Sequence, residues 1–375
     1  MHAEPRTEPA VRVSTLELFF DLVFVFTITQ LTARLAGELT VPGLLRVMLM
    51  LGVIWWMYGG YAWLTNAVAP TDALRRALLI AGMAGFLAIA VAVPDAFGRS
   101  GWVFGAGYFA VNLVHSGLFW HGGGPGAAAA LRGLGPLNLA SASLVLAGGL
   151  LPGGWREVAW AAALAVQIAS PYLHPIGGFT VSPAHFVERH GLVVIVALGE
   201  SVVAIGLGIV GHLSARLLGV AVLGLLLAYC LWWAYFGGDD ERAEHALAGI
   251  PDPRRRALAA VVGYGYAHYV LLLGIVLLAT GVKVVIGHPF EHAGLARSMA
   301  LGGGTAVFFL GDLFFRRALR IGRPWYRTAC AAVGLASVPL GLLLSVAQLA
   351  ALAAAVALLL AVEGRTARGA GPRPG

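Results

Sequence analysis

Carboxylates and imidazoles stand inside apolar runs of this chain, and their spacing is the first thing to explain. "STLELFFDLVFVFTITQLTAR" (14–34) holds Glu17 and Asp21 four residues apart, so they share one helix face. "SPAHFVERHGLVVIVALGESVVAIGLG" (182–208) opens with His185, Glu188, Arg189 and His190 and carries Glu200 and Ser201 deeper in. "GYFAVNLVHSGLFW" (107–120) aligns Tyr108, Asn112 and His115, and "YGYAHYVLLLGIVLLATG" (264–281) aligns Tyr264 with His268. Ionisable groups at such depth are expensive unless they face a bundle interior or a cavity. The chemistry they suit is proton relay or cation coordination along a polar path.

Each residue also has a plainer role. Ser14 can cap a helix with Glu17 at the capping-box position, which accounts for Glu17 at a helix start. Asp21 sits too deep for that. Arg189 and Glu200 are eleven residues apart, close to three turns, so they share a face about 16 Å apart and do not pair. Glu200 therefore requires another partner. An intramembrane histidine can be a satisfied interhelical donor, and Asp312 can pair with Arg316 one turn on. "HFVERH" is H-x-x-E-x-H, one residue off the H-x-x-E-H zinc spacing, and His190 falls off the face of His185 and Glu188; no metal is expected. No catalytic triad order, phosphate loop or dinucleotide fingerprint occurs in a suitable context, so no cofactor is expected and an enzyme is the less favoured class.

The elements that position these groups must be membrane helices. Charged residues make up 11% of the 375 and hydrophobic residues 59%, with a mean hydropathy of +0.82. Soluble domains carry about 25% charge, so the partner solvent is a lipid bilayer. The net charge of +7 comes from arginines between the spans, not from a basic stripe, which excludes nucleic acid as the partner. Cys230 and Cys330 lie in apolar runs and read as small hydrophobes. The first apolar run lacks an A-x-A cleavage site and reads as a helix rather than a cleaved signal.

Counting runs of roughly 20 apolar residues predicts twelve spans, near 15–36, 43–65, 74–93, 101–120, 132–151, 155–172, 186–210, 214–236, 257–281, 295–316, 325–345 and 347–363. With both termini cytoplasmic, every basic residue falls on the cytoplasmic side except Arg34, Arg46, Arg99, Arg156, Arg216, Lys283 and Arg297, as the positive-inside rule requires. "IWWMYGG" (54–60) resembles "LWWAYFGG" (231–238), and "RRAL" recurs at 75–78 and 255–258. The tryptophan pairs suit packing or an interface belt. The repeats predict an all-α membrane protein of two six-helix halves in the same orientation, 14–181 and 182–363, flanked by cytoplasmic tails 1–13 and 364–375. The stretch 237–256 reads as the longest polar loop within the body.

"ELFFDLVFVFTITQL", "WWMYGGYAWLTN", "NLVHSGLF", "HFVERHGLVVIVALGES" and "YAHYVLLLGIV" resemble the signature blocks of the low temperature requirement protein A (LtrA) family. They cover the first three quarters of the chain. The resemblance implies a bacterial multi-spanning protein of the inner membrane, linked by the family name to growth in the cold, and implies no particular activity. A weaker likeness joins "FFDLVFVFTITQL" to the F-S-D helix of a potassium-channel family with six spans per repeat; the serine is absent here, and the second half lacks the triplet. The expected function is a transporter or channel-like protein for an ion or small solute, with Asp21, Glu200, His115 and His268 along the path and Glu17, Asn112, Glu188, Arg189, His190 and Ser201 beside it. The alternatives are a membrane enzyme acting on a lipid and a non-transporting scaffold. Assembly as a homo-oligomer stays open.

Overall fold

The computed structural model describes residues 13–68, 72–122, 124–174, 181–209 and 214–369. Of the expected tails 1–13 and 364–375, residues 1–12 and 370–375 lie outside the described residues. Every element among those described is helical: α1 (Thr15–Gly37), α2 (Val41–Ala67), α3 (Ala73–Ala92), α4 (Gly101–Gly122), α5 (Gly124–Leu150), α6 (Gly154–Leu173), α7 (Pro183–Ile209), α8 (Ala215–Phe236), α9 (Asp239–Ala248), α10 (Pro253–Ala260), α11 (His268–Gly287), α12 (Leu295–Leu319), α13 (Pro324–Ala336), α14 (Val338–Leu343) and α15 (Ser345–Gly369). A π-helical segment, Val261–Ala267, fuses α10 to α11.

Among the described residues ten helices are long and apolar enough to cross a membrane. The two expected spans that fall short of that hydropathy are α4 and α6. They are 22 and 20 residues long, but they carry Asn112, His115 and His121, and Arg156, Glu157 and Gln167. The surface is inverted relative to a water-soluble protein. Glu17, Asp21, Arg156, Arg189, Asp239, Asp312, Arg316 and Arg327 are buried, while Leu22, Val91, Trp102, Leu173, Leu207 and Leu358 are exposed. Lipid is the solvent that makes such an arrangement stable.

Side-chain caps start the helices. Ser14, Thr40, Asp72, Ser214 and Asp252 each accept a bond from a backbone N–H in the first turn of α1, α2, α3, α8 and α10. Three boundaries differ from the expectation. The polar stretch 237–256 contains helix α9, nucleated by Gly238 at φ 110° and by Asp239, Asp240 and Glu241 in the first turn, where carboxylates favour the helix dipole. The span at 325–345 is broken at Ser337, one residue before Val338 and Pro339, into α13 and α14. Helix α15 continues to Gly369, past the expected end at 363.

In the first half α1 packs on α2 and α3, α3 on α4, α4 on α5, α5 on α6, and α6 returns to α2. In the second half α7 packs on α8 and α11, α11 on α12, α12 on α13 and α14, these on α15, and α15 returns to α8. Between halves, α1 meets α7 and α11, and α2 meets α7. Glycines permit the close crossing of α11 with α12. A Cβ on Gly274 would lie 2.3 Å from the backbone nitrogen of Phe308, and one on Gly304 would lie 2.5 Å from that of Leu278. Only Gly lets backbones approach so closely.

Candidate functional site

Helices α1 and α7 begin side by side, and two i, i+4 pairs face each other across them. Glu17 stands opposite His185, and Asp21 opposite Arg189. Glu17 does cap its helix: its Oε2 accepts from the Ser14 backbone N–H and hydroxyl, both at 2.8 Å. Its other oxygen lies 3.2 Å from His185 Nε2, and both residues are buried. Glu17 therefore combines the capping role with a contact between the halves.

Asp21 is 2% exposed and Arg189 1%. Arg189 Nη1 donates to Asp21 Oδ2 at 2.7 Å and to the Glu17 carbonyl at 2.8 Å. The Tyr58 hydroxyl of α2 donates to Asp21 Oδ1 at 2.7 Å. The guanidinium carbon lies 5.6 Å from the ring centroids of both Phe20 and Tyr58, where ring quadrupoles favour a cation. Arg189 Nε has no partner among the described residues. Such a pair gains Coulomb energy but loses hydration, so its net contribution to stability is small although breaking it is costly.

Glu200 lies farther along the same contact. It accepts from the Thr29 hydroxyl of α1 at 2.5 Å, with Lys283 of α11 also acting on it electrostatically. Asp21 and Thr29 are eight residues apart, about 12 Å along α1. The spacing argument thus holds: Arg189 and Glu200 each find their partner on α1, not in each other. Ser201 is buried, and its hydroxyl has no partner among the described residues.

An open cleft lies between α2, α4, α5, α6, α7 and the π segment. Its walls are largely aromatic, with Trp55, Trp56, Trp63, Phe119 and Tyr264, and include His115, His190, Asn138 and Ser170. His115 Nε2 donates to the Gly60 carbonyl at 3.0 Å, and its Nδ1 has no partner among the described residues. His190 Nδ1 donates to the Phe186 carbonyl at 2.8 Å. The π segment shapes one wall. Its wide turn lets His268 Nδ1 donate to the Gly263 carbonyl at 2.8 Å, which leaves Nε2 to accept from Tyr235 at 2.8 Å. It also turns the Gly265 carbonyl toward α2, where the Trp55 indole N–H donates to it at 2.7 Å. Single-turn π segments in helices often mark functional positions. Trp55 stacks on Tyr58, with centroids 5.3 Å apart and planes 10° apart. The cleft is thereby joined to the ion pair by two rings: Trp55 lines the cleft, and Tyr58 holds Asp21.

The structure does not bring all the candidate residues into one site. His268 is buried beside His190, with ring centroids 5.7 Å apart, but does not line the cleft. Asn112 is buried and donates to the Tyr108 carbonyl of its own helix at 3.1 Å. Glu188 is exposed and accepts from the Val13 backbone N–H at 3.4 Å. His185, Glu188 and His190 turn to three different partners, and no group of three or more His, Cys, Asp or Glu suited to a metal occurs among the described residues.

A second buried charge network lies where α8, α12, α13 and α15 meet. The expected Asp312–Arg316 pair is not made. Asp312 pairs with Arg327 of α13, while Arg316 pairs with Asp239 at 2.5 Å and Glu363 at 2.6 Å. Arg327 also reaches Glu363 at 2.6 Å and the Ala234 carbonyl at 2.9 Å. Four residues along one helix favour pairing only when nothing better is presented, and here three other helices, α9, α13 and α15, present arginine and carboxylate partners. Arg156 is a third buried cation. It binds only backbone carbonyls, those of Ala96, Gly98, Gly148, Gly149 and Leu151, and ties the start of α6 to the ends of α3 and α5. An arginine inside an apolar run is as costly as an aspartate. Arg156 and Arg327 stand at the starts of their spans, where arginine is ordinary, so their burial was not legible, and Tyr58 and Trp55 carried no signal either.

The family description "Bacterial low temperature requirement A protein (LtrA)" matches residues 12–362. The chain belongs to the LtrA family. The match takes in the cleft, the Asp21–Arg189 pair and the second charge network apart from Glu363, and it reaches into the final quarter of the chain that the signature blocks leave uncovered. This LtrA protein is also similar to an uncharacterized protein of Rhizobium meliloti (strain 1021), with 27% identity over 320 residues, 82% of this chain and 77% of that one. No solved structure matches it. It is a multi-pass bacterial membrane protein whose site must be argued from its own geometry.

Proposed function

We propose that this LtrA protein is a transporter in the bacterial inner membrane, a carrier for an ion or small solute that occupies the aromatic cleft. The observation that carries the reading is the Asp21–Arg189 pair, buried between the first helices of the two halves and joined to the cleft through Tyr58 and Trp55. Scaffolds bury such pairs at a loss of hydration and gain little stability from them. A carrier uses one as a latch, because a pair that nearly breaks even can open when a proton or a solute tips the balance. Protonation of Asp21 would remove its attraction for Arg189. A guest against Trp55 would shift Tyr58 and with it a hydrogen bond to the same carboxylate.

The architecture supports this reading. Helices α4 and α6 are long enough to cross beside the ten more apolar helices, which gives twelve spans. The order of packing neighbours is the same in each half, with the first helix on the third, the third on the fourth and the sixth on the second. Like-oriented six-helix repeats about an axis along the membrane normal place their site at the repeat interface, where α1, α2, α7 and the π segment meet. On this reading both termini, the Asp21 cluster and the Asp239–Arg316 network lie at the cytoplasmic face, and the basic asymmetry supports that orientation.

The test is flux in proteoliposomes with a panel of monovalent ions and small osmolytes at set pH. It is run beside rescue of cold growth in a deletion strain and a check of protein level in the membrane. The reading expects flux of at least one panel member by the native protein and its loss in Asp21→Asn and Tyr58→Phe. Absence of flux across the panel, with full rescue by Asp21→Asn and Glu200→Gln at normal protein levels, would replace the carrier with a static scaffold.

A further inference from the structure

Away from the cleft, the second charge network borders an open pocket. Arg242, Arg316, Arg323, Arg327 and Glu363 line it, together with Trp233 and Gly322. Arg316 and Arg327 are held from behind by Asp239, Asp312 and Glu363. Arg242 keeps a side chain 45% exposed while paired with Asp239, and Arg323 is exposed and has no ion pair among the described residues. A tight turn places Arg323 there, with Arg320 at φ 58° and Gly322 at φ 61°. Four guanidinium groups therefore face three carboxylates, and the outer two arginines have N–H groups to offer.

The pocket does not end at the surface. Trp233, Leu360 and Gly364 belong both to it and to an apolar groove that runs along α8 and α15 toward the membrane interior. On α8 the groove is formed by Leu226, Tyr229, Cys230 and Trp233, and on α15 by Ala357, Leu360, Ala361 and Gly364. Each set follows the i, i+3, i+4, i+7 pattern of one helix face. Small residues on α15 open the groove, and Tyr229 and Trp233, both about half exposed, stand where aromatic belts contact headgroups.

We propose that this composite site binds one anionic phospholipid of the adjoining leaflet. Its phosphate would sit among Arg242, Arg323 and the inner arginines, and an acyl chain would lie between α8 and α15. Basic pockets between transmembrane helices on the cytoplasmic side suit anionic headgroups, and a groove continuous with the pocket distinguishes a lipid from a free anion. The inference is independent of the transport reading, because it uses neither the cleft nor Asp21.

The test is native mass spectrometry of the purified protein after incubation with dioleoyl phosphatidylglycerol or dioleoyl phosphatidylcholine. One phosphatidylglycerol is expected to remain bound, in clear preference to phosphatidylcholine. Arg323→Gln, in an exposed turn, should lower retention about fivefold, the value of roughly one basic residue near a headgroup. Ala361→Trp should fill the groove and abolish retention with the arginines intact. Should Ala361→Trp fail to give a monodisperse protein, Arg242→Gln combined with Arg323→Gln replaces it, with a larger loss expected than for Arg323→Gln alone. Equal retention of the two lipids, indifference to these substitutions, or blocking of phosphatidylglycerol by millimolar inorganic phosphate alone would overturn the proposal.

Discussion

Replacing Asp21 with asparagine removes one charge from a pair that is nearly inaccessible to solvent, and the cost can be worked from its contacts. Asparagine can still accept from Tyr58 or from Arg189 through its single oxygen, so part of the hydrogen bonding at 2.7 Å survives. What is lost is the counter-charge. Arg189, at 1% exposure, keeps its bond to the Glu17 carbonyl and its two aromatic faces but has no carboxylate in contact. Breaking a buried pair from one side costs about 3–5 kcal/mol, and the surviving partners place Asp21→Asn near ~3 kcal/mol. Arg189→Met should cost a similar amount, because it strands the carboxylate instead. The double substitution removes both charges and should cost about as much as either single substitution, about 3 kcal/mol, instead of their sum, a coupling of about 3 kcal/mol. The assay is reversible unfolding in mixed micelles for the four proteins of the cycle. Additive effects, with a coupling below about 0.5 kcal/mol, would mean that the pair does not act as a unit, and the latch argument would fail with it.

Other outcomes follow from the same geometry. Glu200→Gln keeps an acceptor for Thr29 and should change stability by less than about 1 kcal/mol while abolishing flux; unchanged flux would remove Glu200 from the path. Arg327→Met strands Asp312 and part of Glu363 and should destabilise by about 3–5 kcal/mol, more than Asp312→Asn in the same unfolding assay. Trp55→Phe loses the indole bond to the Gly265 carbonyl and should cost about 1–2 kcal/mol, with weaker solute binding in the cleft read by tryptophan quenching; binding as tight as in the native protein would separate the π segment from the site. Arg156→Lys offers one ammonium to five carbonyls and should lower the melting temperature more than Arg46→Lys, whose partners Glu38 and Glu157 are near the surface.

Much of the architecture was legible because lipid imposes a severe composition. Runs such as 43–65 and 214–236 could be nothing but membrane helices, and the matching helices, Val41–Ala67 and Ala215–Phe236, end within two residues of them. The break at Ser337 and the π segment were not legible, since both depend on neighbours. A proline at the start of a turn can be absorbed or can end a helix, and a wide turn persists only where the Trp55 indole and the His268 imidazole take up the displaced carbonyls. At the site, cost was the readable quantity. Asp21 and Glu200 stood out because a carboxylate in lipid must have a partner, and both partners proved to lie across the α1–α7 contact. The partner's identity was less readable. Arg189 was seen as a helix-start residue, and Tyr58 was one aromatic among many. The nearest arginine to Asp312 along its helix is Arg316, but the fold presents Arg327 from α13. Pair choices of this kind belong to tertiary packing.

The central claim is that the two halves separate and close about the Asp21–Arg189 pair. Double electron–electron resonance tests it most directly, with spin labels at Leu74 on α3 and Leu258 on α10, both exposed and each near the start of the third helix of its half. Cys230 and Cys330 are buried and leave the labels site-specific. A latch predicts two distance populations in the native protein, and a marked gain of the longer one when Asp21→Asn and Arg189→Met are combined. A single narrow distribution, unchanged by the double substitution in a folded protein, would contradict it.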